Sequence, residues 1–476
     1  MTVFAIVLPL ICALGMGLVK NKRSSLTSAM IVFQLLCLAA SIAAVFTDGK
    51  ITLWQISEKM AVSFAADGLA KIMAPLICIL WTLSSVFAAT YMKHESREKS
   101  FYVFNLLSQS AMLGVIFSQN LISMYFLFEM TTLCSFPLVL HNRKKESVAA
   151  ALNYLFYSVG GAFIALFGVV ILHSAAPNLD FIAGGYSVAS TPALLAGIFC
   201  IVLGFGAKAG LLPLHAWLPA AHPVAPAPAS ALLSGLITKS GVVAIIRVLF
   251  YVADADIIRG TWVQNTLIIL AVATVLMGSI LAYSEKEFKK RLAYSSVSQI
   301  SYILCGLFIL DGSALTGSLL QIIFHAVVKV GLFLTAGALI YLTGKTDVDS
   351  YLGAGKKYPV IMWSYTLLSL SLIGIPPFGG FFSKWYIAEG ALSALYAPLS
   401  YIVPAALLLS ALYTAGYLLP LSTRGFFPSE SIKVKREAEP KAFIIPLVIL
   451  AAIALVGGIF TPSAVDAISE LTSNLI

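Results

Sequence analysis

The sequence predicts an all-α membrane protein of about fourteen transmembrane helices, and three observations carry that expectation. The 476 residues are 59% hydrophobic and only 11% charged, with a mean hydropathy of +0.94, whereas a soluble domain carries about 25% charged residues. The apolar runs are about 17–25 residues long, the length at which a helix spans a bilayer. Basic residues, finally, concentrate in every second loop. The runs lie at 3–19, 26–46, 68–92, 100–118, 120–140, 148–173, 193–212, 227–250, 264–284, 293–310, 315–342, 358–387, 398–421 and 441–460. The first is not a cleavable signal by pattern, since its charges (Lys20, Lys22, Arg23) follow it rather than precede it.

Loop charge sets the expected orientation. Loops after the odd-numbered spans carry Lys20 to Arg23, Lys93 to Lys99, Arg143 to Lys145, Lys286 to Arg291, Lys356-Lys357 and Arg424 to Lys441. Loops after the even-numbered spans hold Lys50, Lys59 and Arg259. By the positive-inside rule both termini face the outside of a prokaryotic-type inner (plasma) membrane. The same rule places the net charge of +9 in cytoplasmic loops and makes nucleic-acid binding a poor reading of it. The expected organisation is one polytopic domain, with N-terminal spans in 1–99, a first repeat in 100–250, a second in 264–421 and the last span with its tail in 441–476.

Two spans read as broken. The seventh ends in Lys208-Ala-Gly-Leu-Leu-Pro213, and Pro219, Pro223, Pro226 and Pro228 follow. The twelfth contains Gly374-Ile-Pro376-Pro377-Phe-Gly379-Gly380. Proline removes a backbone donor and clashes with the preceding turn. The freed backbone groups are tolerated at membrane depth only inside protein or beside water. The breaks lie five spans apart, the spacing expected of two inverted five-helix repeats, spans 4–8 and 9–13. Two unrelated kinks are the simpler alternative.

Six ionisable residues sit inside otherwise lipid-soluble runs: Glu129, Lys208, Lys239, Arg247, Lys329 and Lys384. A charge at the bilayer centre costs about 2.5–3.5 kcal/mol on insertion scales. One could snorkel. Six spread over five spans imply an internal polar path, most simply a route for protons. Lysine is a usable carrier because its neutral form tolerates a low dielectric, while arginine stays charged. Glu129 is the one carboxylate well inside a span; alone, it could equally be half of a static pair joining two helices. Arg247 lies eight residues beyond Lys239, nearer a membrane face, and reads as an anchor or a gate. His325 and Lys329 are four residues apart and share a helix face; histidine titrates nearest neutrality. His215 and His222 flank the proline-rich link as further candidates for a gate.

Other chemistries lack support. The six cysteines form no CxxC pair, so iron–sulfur or zinc ligation has no local pattern. No HExxH, carboxylate cluster, phosphate loop or nucleophile elbow occurs. No cofactor or metal is expected in this chain, and no redox catalytic site.

Lys208-Ala-Gly-Leu-Leu-Pro-Leu-His215-Ala-Trp217-Leu-Pro219-Ala-Ala-His222-Pro-Val-Ala-Pro226, with Ser-Ala-Leu-Leu-Ser-Gly-Leu-Ile-Thr-Lys239 beyond it, resembles the antiporter-like subunits of respiratory complex I, the D-type subunit of Mrp-type cation/proton antiporters, and the antiporter-like subunits of energy-converting hydrogenases. Arg291 to Tyr302, His325-Ala-Val-Val-Lys329-Val-Gly-Leu-Phe333 and Gly374 to Trp385 are further matches, so the resemblance covers nearly the whole chain. It implies that Glu129 pairs with Lys208, that Lys239 continues a hydrated axis, and that His325 and Lys329 link it to Lys384. Four features qualify the likeness. Lys384 stands where the M type of complex I subunit usually has glutamate. Ala221-His222-Pro223 is unlike the N type, and the short tail is unlike the L type and the large A-type subunit of Mrp antiporters. Asn153 stands where many relatives carry lysine.

The expected function is therefore proton translocation through a Glu/Lys/His relay, within an Mrp-type antiporter or a complex I-related hydrogenase. Expected partners are other membrane subunits, protons, the lipid bilayer and, through a neighbouring subunit, sodium; the lack of a second intramembrane carboxylate argues against a sodium cage here. The rival readings are a structural subunit with inert buried charges and a stand-alone transporter of a small solute.

Overall fold

Uninterrupted apolar sequence becomes helix wherever no proline or glycine cluster intervenes. The computed structural model describes residues 1–57, 60–175, 179–187, 189–428 and 435–476. In chain order the elements are α1 (Thr2–Leu18), α2 (Arg23–Val45), strands β1 (Ile51–Ser57) and β2 (Met60–Phe64), α3 (Gly68–Tyr91), α4 (Glu98–Phe117), α5 (Leu121–Val139), α6 (Lys145–Ala175), α7 (Pro192–Ala209), α8 (Trp217–Val224), α9 (Ala227–Leu232), α10 (Thr238–Arg247), α11 (Ala255–Ile258), α12 (Trp262–Ser284), α13 (Phe288–Ile309), α14 (Gly312–Thr343), α15 (Ala354–Lys357), α16 (Pro359–Ile373), α17 (Gly379–Ala394), α18 (Leu399–Phe426), α19 (Lys441–Ile459) and α20 (Thr461–Ser473). Twelve helices among the described residues are long and apolar enough to cross a membrane. They include α9 and α10, joined through a π-helical turn into one span, Ala227–Val252. The shorter α1 and the pair α16–α17 bring the number of spans to the expected fourteen.

Span boundaries follow local chemistry. Asn120, Thr191 and Asp311 cap the starts of α5, α7 and α14 by accepting from the backbone N–H three residues on, at 2.7, 3.2 and 3.1 Å. Gly210 and Gly374, at φ 82° and 91°, end α7 and α16 in the left-handed conformation that a side chain disfavours. The two expected breaks therefore fall where glycine and proline cluster. Each separates two helices, α7 from α8 and α16 from α17.

Contacts at the helix ends sort the loops onto two faces. On the basic face His94 stacks on Tyr341, Lys289 donates to the Ala225 carbonyl at 2.8 Å, and Lys357 pairs with Glu437 at 2.9 Å. On the opposite face Lys50 pairs with Asp180 at 2.7 Å and Arg259 donates to the Leu310 carbonyl at 2.9 Å. The first set joins loops after odd-numbered spans and the second joins loops after even-numbered ones, which is the alternation read from loop charge. Lys59 and residues 429–434 of the last basic loop lie outside the described residues.

The repeat shows in the packing. Within each five-span unit the first span packs on the second, the second on the third, the third on the broken fourth, and the fourth on the fifth: α4, α5, α6, α7 and α10 in one, α12, α13, α14, α16–α17 and α18 in the other. Five crossings reverse the chain's direction, so the second unit is inverted. The interior belongs to the spans at 227–252, 288–309 and 312–343, whose residues are almost all buried. Outer spans present Phe126, Phe156, Phe163, Leu408 and Leu412 outward.

Two elements were not foreseen. β1 and β2 form an antiparallel hairpin with Ile51 opposite Phe64, in a segment too short and too polar to register as a span. The tail after α19 forms α20, held to α14 by a hydrogen bond between Thr472 and Thr316 at 3.1 Å.

Arg247 is fully buried and forms a two-pronged ion pair with Asp67, the residue that caps α3. Its guanidinium lies over the rings of Phe181 and Tyr251, 4.9 and 4.5 Å from their centroids. This is a clamp between α3 and α10, and the side chain does not snorkel. Removing one partner of a buried pair costs about 3–5 kcal/mol because the other charge is stranded. Arg247→Leu is therefore expected to lower the thermal midpoint of the purified chain strongly, with Arg247→Lys intermediate. An unchanged midpoint in the leucine variant would remove the clamp.

Candidate functional site

The three most buried spans bring three of the six residues selected from sequence, Lys239, His325 and Lys329, into one interior. Lys239 sits just past the π-helical turn Leu233–Ile237, a local widening often found at functional sites. The Ser234 carbonyl accepts from Lys239 Nζ and from Thr238 Oγ1, both at 2.8 Å. Lys239 Nζ also lies 2.6 Å from His325 Nδ1, so α10 and α14 are joined by a lysine–histidine contact short enough for direct proton exchange. One turn on, Lys329 donates to Ser295 Oγ at 2.7 Å and to the Leu292 carbonyl at 3.1 Å. Tyr417 donates to the same Ser295 at 2.7 Å. The neighbouring Ser296 bonds Ser234 at 2.6 Å, tying the Lys329 cluster to the Lys239 cluster through α13.

Between His325 and Lys384 lie polar residues that sequence reading missed. Gln321 lies one turn before His325 on the same helix, and it bonds Gln299 at 3.0 Å. Ser383 donates to the Gln321 side-chain carbonyl and is the chain neighbour of Lys384. Neutral glutamines and serines carry no mark in a single sequence, so only the fold reveals them. His325 Nε2 is buried without a protein partner. Lys384, partly exposed, donates to the carbonyls of Leu372 and Ile373 at 2.6 and 2.7 Å. Those carbonyls end α16, where the helix dipole favours a cation.

The expected ion pair between Glu129 and Lys208 is not formed. Lys208, fully buried, donates to the Phe128 carbonyl at 2.7 Å and to Thr131 Oγ1 at 2.8 Å, and sits 3.7 Å from the Phe128 ring centroid. Glu129 Oε1 is buried with no hydrogen-bond partner. The two still lie within electrostatic reach. The physical reason is local: α5 offers Lys208 two acceptors one residue before and two residues after Glu129, and the amine satisfies itself there. No hydrogen bond joins Lys208 to Lys239 among the described residues. Asn153 lines an open groove with Glu146, Phe156 and Ala220, away from the interior.

The histidines of the link differ in setting. His215 is half-buried in the connection between α7 and α8, with Nδ1 unpartnered. His222 is fully buried, stacks on Phe333 with centroids 4.6 Å apart, and has no partner for either ring nitrogen. It feels the charges of both Lys329 and Lys289. Lys289 was not singled out from sequence because it sits within a basic loop run. Beyond it lies Glu95, whose carboxyl is pushed above its ordinary range by burial, with Lys289, Lys144 and His94 opposing. Lys289 is thus within electrostatic reach of both His222 and Glu95. Arg247, paired with Asp67, stands apart from both sets. Asp67 is a further carboxylate at the end of a span, and its partner is an arginine.

A family model described as NADH:quinone oxidoreductase/Mrp antiporter, TM, matches residues 118–410. The chain belongs to this family. It is 30% identical to NADH-quinone oxidoreductase subunit N of Desulforudis audaxviator, over 98% of this chain and 96% of that one. It is 29% identical to the D-type subunit of the Na(+)/H(+) antiporter of Alkalihalophilus pseudofirmus, over 85% and 81% of the two chains. Subunit N is thus among its relatives even though Ala221-His222-Pro223 reads unlike that type. In fold it matches a chain of the membrane-bound sulfane sulfur reductase, an archaeal respiratory membrane complex, with a TM-score of 0.87, 23% identity and coverage of 100% and 97%. Among NADH:quinone oxidoreductase/Mrp antiporter proteins, its class is that of the antiporter-like membrane subunits.

Lys384→Met would leave the Leu372 and Ile373 carbonyls without their donor at the break. An unsatisfied buried polar group costs about 1–3 kcal/mol. A lowered thermal midpoint is expected for the methionine variant, and a smaller loss for Lys384→Arg, which keeps donors. Equal midpoints for wild type and Lys384→Met would show that water caps the break instead.

Proposed function

We propose that this chain translocates protons as a membrane subunit of a larger complex, an Mrp-type sodium/proton antiporter or a complex I-related energy-converting hydrogenase. The observation that carries the proposal is the 2.6 Å contact between Lys239 and His325, set in a buried polar series that runs through Gln321 and Ser383 to Lys384 at a broken helix. Lysine and histidine exchange protons, glutamine and serine orient water between them, and the break gives Lys384 access to one aqueous face. The branch through His222, Lys289 and Glu95 supplies the basic face, which the loop charges place in the cytoplasm. Glu129, half-buried on α5 beside outward-facing Phe126 and Leu133, is the group by which a neighbouring subunit would bias Lys208. Driving energy comes from such partners or from another ion gradient. Sodium, where it moves, uses a neighbouring subunit.

A structural reading has one observation in its favour: Lys208 and Lys384 cap backbone carbonyls, as inert charges would. Mutants in the assembled complex separate the two readings. Glu129→Gln is expected to abolish pH-gradient formation in everted vesicles while the complex still assembles; a normal gradient would remove Glu129 from the mechanism.

Lys239→Arg keeps the charge but holds its proton too tightly to pass it on. Turnover is expected to fall at least about tenfold, equivalent to about 1.4 kcal/mol of barrier. Wild-type turnover with arginine would make Lys239 an electrostatic prop and favour the structural reading.

A further inference from the structure

A second charged cavity lies on the basic face, among the N-terminal helices and apart from the polar series. It measures about 610 Å³ and is lined by the start of α2 and the start of α4. Arg23, Arg97 and Lys99 line it against a single carboxylate, Glu98. That carboxylate is already engaged: it accepts from the Tyr102 hydroxyl at 2.9 Å and lies 3.6 Å from Arg23 Nη2. Lys99 donates to the Val19 carbonyl at 2.9 Å, a neutral acceptor that leaves its charge uncompensated. Arg97 has no ion-pair partner among the described residues. Arg23 is partly exposed, yet its Nε is buried and makes no hydrogen bond, and its Nη2 has only the long ion-pair contact with Glu98, which leaves donor capacity for a further acceptor.

Backbone adds to the same field. Both α2 and α4 begin without a side-chain cap, so two sets of first-turn N–H groups and two positive dipole ends open at one place. Asn21 and Ser100 add polar groups, and the rest of the wall is apolar, formed by Leu26, Val103 and Phe104. A site with a cationic rim and an apolar wall at the end of membrane spans matches a molecule with an anionic head and hydrocarbon tails.

We propose that this cavity binds the phosphodiester headgroup of an anionic phospholipid, held by Arg23 and Arg97 with the first-turn N–H groups of α2 and α4. The lipid would lock α1, α2 and α4 together on the basic face. A free phosphate ion shares the headgroup's chemistry but would leave the apolar wall unused.

The test uses the full chain, purified in mild detergent, stripped of lipid and titrated by native mass spectrometry. Phosphatidylglycerol is expected to bind one per chain, at least tenfold more tightly than phosphatidylethanolamine. The double variant Arg23→Gln/Arg97→Gln is expected to lose that preference, while Glu98→Gln, which removes the competing carboxylate, strengthens it. A charge-matched pair elsewhere on the basic face, Lys356→Gln/Lys441→Gln, should leave binding unchanged; a loss there would reduce the effect to general surface charge and overturn the site. Thermal midpoints establish that each variant is folded. Equal binding of the two lipids, or undiminished phosphatidylglycerol binding in the arginine double variant, overturns the proposal. Millimolar inorganic phosphate should not displace the lipid; if it does, the site takes a free anion and the lipid assignment fails.

Discussion

A buried ammonium group must find acceptors, and in this protein it finds backbone carbonyls. Lys208 takes the carbonyl of Phe128, Lys239 that of Ser234, Lys329 that of Leu292, Lys384 those of Leu372 and Ile373, and Lys289 that of Ala225. The same constraint shapes the helices. A π-helical turn beside Lys239 and an open break beside Lys384 are irregularities that a lipid-facing helix could not sustain. Here they lie against lysine donors. Carbonyls are neutral, so no counter-charge has to be released when such a lysine gives up its proton. A lysine bound to a carboxylate would lack that freedom.

Arg247 illustrates the opposite solution. Its charge is permanent, and it is answered by a carboxylate, Asp67, and by two aromatic faces. The result is a fixed joint between α3 and α10. Two kinds of buried cation thus coexist in one membrane interior. Titratable ones rest on neutral acceptors, and a permanent one is neutralised by a carboxylate. This division separates the groups suited to moving protons from the one that holds the scaffold around them.

The candidate site was only partly visible in the sequence. Lys208, Lys239, Lys329, Lys384 and His325 stand out because a charge or a histidine in an apolar run is conspicuous. Gln299, Gln321, Ser295, Ser296 and Ser383 do not, since neutral serines and glutamines carry no charge to mark them, and serines such as Ser296 and Ser383 can bond their own helix. Glu129 and Lys208 show a further limit. Their placement on neighbouring spans of one repeat was legible, but whether the two side chains touch was not: Thr131 Oγ1 and the Phe128 carbonyl compete for the amine, and that competition is settled by geometry within the bundle.

By itself the sequence determined the number of spans, most of their boundaries to within a few residues (the ends of α17 and α18 and the start of α13 lie five to seven residues beyond the expected limits), the alternation of the loops and the position of both breaks. These depend on local properties, namely apolar length, loop charge and the backbone chemistry of proline and glycine. Only the tertiary structure decided which charges meet. Asp67 and Arg247 are 180 positions apart, and Lys239 and His325 are 86 apart; no periodicity links them. It also decided that the ITLWQIS segment pairs as a hairpin and that two uncapped helix starts face one cavity. Such pairings arise when distant helices pack side by side, and the energy that selects them belongs to the contact rather than to either segment.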